Sequence, residues 1–338
     1  MDDAALNQVS RREFLLGASA LGAAALVGCP REAAAEQPPE TTRLRLVDDE
    51  TICIAPMFLA EALLRDEGFT DPQFVKVVGP GIYSAVAAGD ADLAMGYAGS
   101  IAARLDAGDP LVVLAGIHLG CFELFATDQV RAIRDLKGKT VVVLSRGSAA
   151  HLFLSSMAAY VGLDPGKDIH WVEHSYVDSM RLLAQGRVDA FLAFPPNPQE
   201  LRAKRIGHVV VNTSTDSPWS EYYCCMLLGN RDFVRKHPVA TKRAMRAIFK
   251  ATDLCAQEPE RAARLVLDSR HASSYDYTVQ TLKEVPYGVW RTYNPETTLR
   301  FYALRLHEVG MIRSTPQKLI DQGTDWRFLN ELRKELKA

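Results

Sequence analysis

The sequence predicts an α/β protein of two lobes. Three observations carry that expectation. Short apolar runs rich in β-branched residues alternate with stretches at helical spacing. Strand–loop–helix junctions recur, most clearly in Asp135–Leu163, where the turn Lys137-Gly138-Lys139 leads into a strand at Thr140–Leu144, a loop at Ser145-Arg146-Gly147-Ser148 and a helix at Ala149–Tyr160. There is also an internal echo: Ala88-Gly89-Asp90-Ala91-Asp92-Leu93 returns as Gln185-Gly186-Arg187-Val188-Asp189-Ala190, with Gly186 and Asp189 each 97 positions after Gly89 and Asp92. Both copies read as a helix, a glycine stop, an aspartate and a buried strand, as two similar lobes in one chain require.

The length of 338 residues, 48% of them apolar, supports two cores rather than one. Lys and Arg number 39 against 41 Asp and Glu, so no basic excess points to nucleic acid. The six cysteines (29, 53, 121, 224, 225 and 255) are too few and too scattered for a disulfide scaffold or a paired C-x-x-C zinc site. No metal site and no cofactor is expected.

Residues 1–28 read as an export signal. Arg11-Arg12 before Phe14-Leu15 resembles the twin-arginine (Tat) signal, and the apolar run after it, about 14 residues, is short of the roughly 20 that cross a bilayer. Leu26-Val27-Gly28-Cys29 resembles a lipobox, which makes Cys29 the expected lipid attachment point and first mature residue. Residues 29–42, polar and Ala/Glu/Pro-rich, read as a flexible tether. A Tat substrate folds before export in a reducing compartment, so the other cysteines are expected as buried thiols.

In order, Arg43–Val47 alternates as a strand. Asp48–Ile54 is a loop, and Pro56 opens a helix that Gly68 ends. Gln73–Val78 is a strand, Ile82–Ala88 a helix and Asp92–Met95 a buried strand. Tyr97–Ser100 is a second strand-to-helix loop before a helix at Ile101–Ala107. Strands follow at Leu111–Ile117 and Phe122–Thr127, then the central stretch. Beyond it come a strand at Ile169–Glu173, a helix at Val177–Gln185, a strand at Asp189–Ala193, a helix at Gln199–Arg205 and strands at Val209–Val211 and Tyr222–Leu228. From Arg231 onward helices are expected at 238–256, 258–269, 295–309, 315–321 and 326–336, with Pro238, Pro259, Pro295 and Pro316 near their starts.

Thr51, Cys53, Tyr97, Ser100, His118, Arg146, Ser148, His151, Phe194, Asn197 and Tyr222 all fall where strands finish or helices begin, the edge at which α/β sheets bind ligands. Arg146 with the N–H groups of Gly147–Ala149 suits an anionic group. Ser148 and His151 share a helical face. No G-x-S-x-G surrounds the serine and no acid is placed to orient the histidine, so a capping serine beside a ligand-facing histidine is preferred to a nucleophile and base. His170 and His174 on a strand lie roughly 13 Å apart, too far for one ion. Cys224 and Cys225, adjacent on a strand, point to opposite faces.

Several motifs in order carry a family likeness. Asp135–Val141, Arg146-Gly147-Ser148 and Gly162-Leu163-Asp164-Pro165, together with Ala55–Ala60, the strand entries Ala87–Gly96 and Leu183–Ala193, and Asn230–Phe233 before Pro238, resemble the periplasmic solute-binding proteins of nitrate/sulfonate/taurine-type ABC importers, a group that includes pyrimidine-precursor binders. The likeness covers about 43–336. It implies a two-lobe periplasmic binding protein fold, type II-like. Lobe one would be 43–128 plus 223–338, with the helical C-terminal region packed on it, and lobe two 129–222. Crossovers near Ala126–Val130 and Tyr222–Met226 would form the hinge. It also implies a non-enzymatic, monomeric receptor for a small-molecule solute, lipid-anchored outside the cell or in the periplasm and served by ABC permease and ATPase subunits. The anionic group of a sulfonate-, taurine- or nitrate-like solute would meet Arg146–Ser148, and its body would pack on Met57, Tyr97 and Phe194; alternatives are a neutral heteroaromatic such as a pyrimidine precursor, and an exported enzyme using Ser148 and His151. The chain departs from the family at Phe194-Pro195-Pro196-Asn197, where an acidic or aromatic segment is common, and at Thr51 and Cys53, where a Gln/Tyr group is more usual.

Overall fold

Two five-stranded sheets organise the chain. The computed structural model describes residues 36–49, 51–77 and 81–336; the export signal and Cys29 lie outside the described residues. In chain order the strands are β1 (Arg43–Asp48), β2 (Asp71–Lys76), β3 (Leu93–Tyr97), β4 (Leu111–Leu119), β5 (Glu123–Ala126), β6 (Thr140–Val143), β7 (His170–Glu173), β8 (Ala190–Ala193), β9 (His208–Asn212) and β10 (Tyr223–Asn230). The first sheet runs β2-β1-β3-β10-β4 and the second β7-β6-β8-β5-β9. Their plans are the same. Two parallel pairs share the first strand, and an antiparallel strand then sits between the third and the edge.

The sequence echo is a hydrogen-bond motif used twice. The Asp92 carboxylate accepts from the Arg45 amide at 2.7 Å, and the Asp189 carboxylate accepts from the Thr140 amide at 2.8 Å. Each aspartate's carbonyl also accepts, at 2.9 Å, from the far end of its antiparallel strand: the amide of Asn230, last in β10, for Asp92 and that of Thr127, just past β5, for Asp189. Gly89 and Gly186 reach these strands through positive φ, +78° and +64°, where a side chain is strained. One aspartate in each lobe thus satisfies an amide near the start of the neighbouring parallel strand, β1 or β6.

Four expectations are corrected. Glu123–Ala126 pairs with β8 and β9, so it belongs to the second lobe and not the first; the chain crosses at Gly120–Phe122 and returns through 213–222. Tyr97 is followed at once by the helix Ala98–Asp106, without a loop. A helix not expected from the sequence runs from Tyr275 to Glu284. The tether ends before Glu40, whose carboxylate accepts from the Val239 and Ala240 amides at 2.9 and 2.8 Å, at the open N-terminus of the helix Pro238–Gln257.

The C-terminal helices pack on the first lobe, as expected, and also reach the second. Pro238–Gln257 packs on Ala55–Leu59 and Glu61–Asp66, while Pro295–Glu308 packs on Ala98–Asp106 from the first lobe and on Ala149–Tyr160 from the second. Rings cement this seam. Tyr97 stacks on Phe153 at 4.9 Å, and Tyr302 meets both edge-on, at 5.2 and 5.4 Å. Such pairs add about 0.5–1.5 kcal/mol each beyond their buried area. Among the described residues no helix is long and apolar enough to cross a membrane.

Candidate functional site: a cleft between two sheets

A cavity of about 720 Å³ opens between the sheets, walled by both. The first lobe supplies Thr51, Cys53 and Ile54 after β1, Tyr83, Met95, Tyr97 at the end of β3, and Ser100 and Arg104 on the following helix. The second supplies Leu144, Arg146, Gly147 and Ser148 after β6, Leu152, Tyr176, and Phe194, Pro195, Pro196 and Asn197 after β8. Cys121 and Phe122, on the crossing segment, and Cys225 complete it. Loops after the first and third strands of each sheet therefore face one another, as duplication of the strand plan dictates.

Nine sequence-expected residues line this cavity: Thr51, Cys53, Tyr97, Ser100, Arg146, Gly147, Ser148, Phe194 and Asn197. Four do not. Met57 is fully buried in the core of the first lobe. Tyr222 stacks on Phe301 at 3.9 Å, on the aromatic seam. His118 is fully buried behind the wall. His151 packs edge-on against Trp171 at 4.7 Å, and its Nδ1 accepts from the Gly147 amide at 3.0 Å.

That last bond changes the reading of the Arg146–Ser148 loop. The Gly147 amide is taken by His151 and the Ser148 amide donates to the Ser145 carbonyl at 3.1 Å, so two of the three amides expected to meet an anion are engaged within the loop. The Arg146 amide itself donates to Glu173 at 3.1 Å. Its guanidinium is largely exposed and stands 3.9 Å from the same carboxylate. Ser148 acts as the expected N-cap, its hydroxyl accepting from the His151 amide at 3.4 Å. The serine thus meets the histidine's backbone, and the ring's Nδ1 is spent on Gly147, so the pair is not arranged as nucleophile and base. Burial, reinforced by the Arg146 charge, lowers the His151 pKa to about 4, which keeps the ring neutral as a hydrogen-bond acceptor.

Sequence reasoning missed Tyr83, Arg104, Phe122 and Tyr176. Tyr83 accepts from the Tyr97 amide at 3.0 Å, and burial raises its phenol pKa. Arg104 is held by Asp109 at 2.5 Å. Phe122 meets Tyr97, Phe153 and Phe194 edge-on. These residues sit inside helices or at crossing points, where local spacing carries no sign of a site. The walls combine apolar and aromatic surface with two arginines on opposite sides. The Tyr97 and Ser100 hydroxyls are buried without a hydrogen-bond partner, the polar inventory of a cleft that orients a small molecule.

Residues 79–262, more than half of the chain, match the profile of the family described as NMT1/THI5 like. The chain belongs to the NMT1/THI5-like family. Among curated relatives, the bicarbonate-binding protein CmpA of Synechococcus elongatus is 28% identical over 101 residues, 30% of this chain but only 22% of the relative. Among solved structures, the periplasmic nitrate-binding protein NrtA from Synechocystis PCC 6803 superposes with a TM-score of 0.74 at 14% identity, covering 89% of this chain and 90% of that one. The alkanesulfonate-binding protein SsuA from Xanthomonas axonopodis pv. citri, bound to MOPS, gives 0.67 at 19% identity over 83% of this chain and 96% of that one. These likenesses establish the two-lobe periplasmic binding protein fold for this member of the family.

Proposed function

We propose that this chain is the solute receptor of an ABC importer, exported by the Tat route, lipid-anchored at Cys29 and monomeric, and that its solute is an organic molecule with a flat apolar body and one anionic group. The observation that carries the reading is the cavity of about 720 Å³ walled by both sheets. Small-molecule clefts run about 300–1,000 Å³. A water occupies roughly 30 Å³ in the liquid, so an ion of four heavy atoms leaves most of this space unfilled, whereas an aromatic or alkyl sulfonate fills it. Phe122, Tyr176 and Phe194 supply faces for such a body, and Arg104 and Arg146 supply charge for its anionic end. The nitrate-, bicarbonate- and sulfonate-binding relatives support a solute receptor, and of the solutes in their names a sulfonate with an organic body is the one large enough to fill the cavity. Solute touching both walls favours the conformations that bring them together, and that difference is what a permease reads.

A second reading, a neutral heteroaromatic solute such as a pyrimidine, is favoured by one observation: the Gly147 and Ser148 amides are already engaged. Thermal-shift and calorimetric titration of aromatic sulfonates, taurine, nitrate, bicarbonate and pyrimidines separates the two. The first reading expects an organic anion to bind, with Arg146→Ala costing about tenfold, or about 1.4 kcal/mol. A pyrimidine bound equally well by Arg146→Ala decides for the second. Binding of nitrate or bicarbonate alone overturns both. Recovery of the bound solute chemically unaltered by mass spectrometry separates a receptor from an enzyme.

A further inference from the structure

We propose that Cys53, His118 and Cys225 form a binding site for a thiophilic divalent cation of the zinc class, set in the wall of the cleft with one coordination position toward the cavity. The three residues come from distant segments. Cys53 lies in the turn Ile52–Ile54 after β1, His118 near the end of β4, and Cys225 on β10. β10 pairs antiparallel with β4, and an irregularity in that ladder sets Cys225 opposite His118. All three residues are buried, and their ligand atoms lie within 4.8 Å of one another. A tetrahedral zinc ion with bonds of about 2.0–2.3 Å holds its donors roughly 3.5–3.8 Å apart. The set therefore has to draw in from 4.8 Å by about 1.3 Å at most, a side-chain adjustment.

His118 points independently to a ligand. Its Nδ1 stands 2.5 Å from the Leu119 carbonyl, so that nitrogen carries the proton and donates it. Nε2 then presents its lone pair, and it is buried with no hydrogen-bond partner. A ring fixed through one N–H to a backbone carbonyl, with the other nitrogen bare, is the arrangement of a metal-bound histidine. A buried acceptor left unpaired is costly, and a metal ion removes that cost. Access exists, because Cys53 and Cys225 line the cavity while His118 stands behind them.

Charge decides the class of ion. Two thiolates and a neutral imidazole sum to minus two, which a divalent ion cancels; a monovalent copper ion leaves a net charge in an apolar wall. Cys224 is not part of the set. Its sulfur turns to Cys121, 3.5 Å away. Adjacency in the strand does separate Cys224 from Cys225, as the two-residue pleat requires, but each finds partners from other segments.

The test uses the full chain, metal-free and with reduced thiols, without any solute, so its outcome is independent of what the cleft transports. Zinc is titrated in competition with a chromophoric chelator, and released protons are counted. The site expects one ion per chain and about two protons released, because both thiols must ionise. Cobalt in place of zinc should give a thiolate-to-metal charge-transfer band. Cys225→Ser and His118→Gln should each weaken zinc by at least about a hundredfold, the upper end of what losing a supporting contact alone costs. Cys255→Ser, a buried thiol outside the set, should leave affinity unchanged, and near-ultraviolet circular dichroism verifies that each variant is folded. The proposal is overturned by any of three results: no stoichiometric zinc on the reduced chain, a cobalt band indifferent to Cys225→Ser, or copper(I) binding without zinc binding.

Discussion

The two lobes share one strand plan and differ in what they place at its rim. In the first, β1 and β3 lead into Cys53, Tyr97 and Ser100, with Cys225 beside them and His118 behind the wall. In the second, β6 and β8 end in the Arg146–Ser148 loop and Phe194–Asn197, with His151 holding the loop from behind. The scaffold aspartates differ too. Asp92 is buried and also binds the Arg45 guanidinium at 2.5 and 3.2 Å, whereas Asp189 is half-buried and accepts the Thr140 amide alone. A duplicated frame thus fixes where ligand-facing groups go without fixing their chemistry.

The sharpest way to break this comparison is at the paired aspartates. Asp92→Ala leaves Arg45 without its carboxylate and should cost about 3–4 kcal/mol, in the range for breaking a buried pair. Asp189→Ala should cost about 1–2 kcal/mol, an unsatisfied amide. Equal losses in urea denaturation would mean that the frame, not the guanidinium, sets the difference. Next in size is the asymmetry of the histidines. His151 is neutral in the fold down to about pH 4, while an unfolded histidine titrates near 6.5. The unfolded chain therefore binds the extra proton first as pH falls. The His151 contribution is fully present above about pH 6.5, is lost progressively toward pH 4, and amounts to about 2–3 kcal/mol over that window. Denaturation midpoints at pH 7 and 5 should diverge in the parent and converge in His151→Gln.

Smaller again is the effect on solute. Phe194→Ala should weaken binding by about 1–2 kcal/mol through lost apolar contact. An unchanged Kd would remove Phe194 from the site. The smallest effect concerns a link between lobes. Arg202 in the second binds the buried Glu123 and, at 2.7 Å, Glu284 on the helix Tyr275–Glu284. Glu284→Ala removes only the partly exposed half of this bridge and should shift solute affinity by no more than about 0.5–1 kcal/mol.

Much of the frame was legible, for physical reasons that also mark the limit. Thr140–Val143 and Leu111–Leu119 announce themselves because strands buried on both faces are continuous β-branched and apolar runs. The echo at Asp92 and Asp189 was readable because a local turn repeats. Partner choice was not: Glu123–Ala126 looks the same whichever sheet it joins. Tyr275–Glu284 escaped because Tyr275, Tyr277, Thr278, Val279 and Thr281 are weak helix formers, overridden by burial of Thr278, Thr281 and Leu282. Met57 was expected only through the family likeness of Ala55–Ala60, and its side chain is instead buried in the core of the first lobe. The Cys53–His118–Cys225 set has no spacing to find, since its members meet only through strand pairing.

The crossing at Gly120–Phe122 has a consequence for how the chain is made. A side chain at Gly120 would lie 2.0 Å from the Thr213 carbonyl, and Phe122 and Thr213 exchange backbone and hydroxyl hydrogen bonds, so outgoing and returning strands are clasped together. Everything between them, residues 123–212, is one uninterrupted stretch that holds every strand of the second sheet. The first sheet lacks β10, which sits between β3 and β4, until residue 230 has left the ribosome. Synthesis from the N-terminus therefore completes the younger lobe first, while the older waits with an open seam for a strand made long after its neighbours, the kind of long-range closure that slows folding and leaves apolar edges exposed.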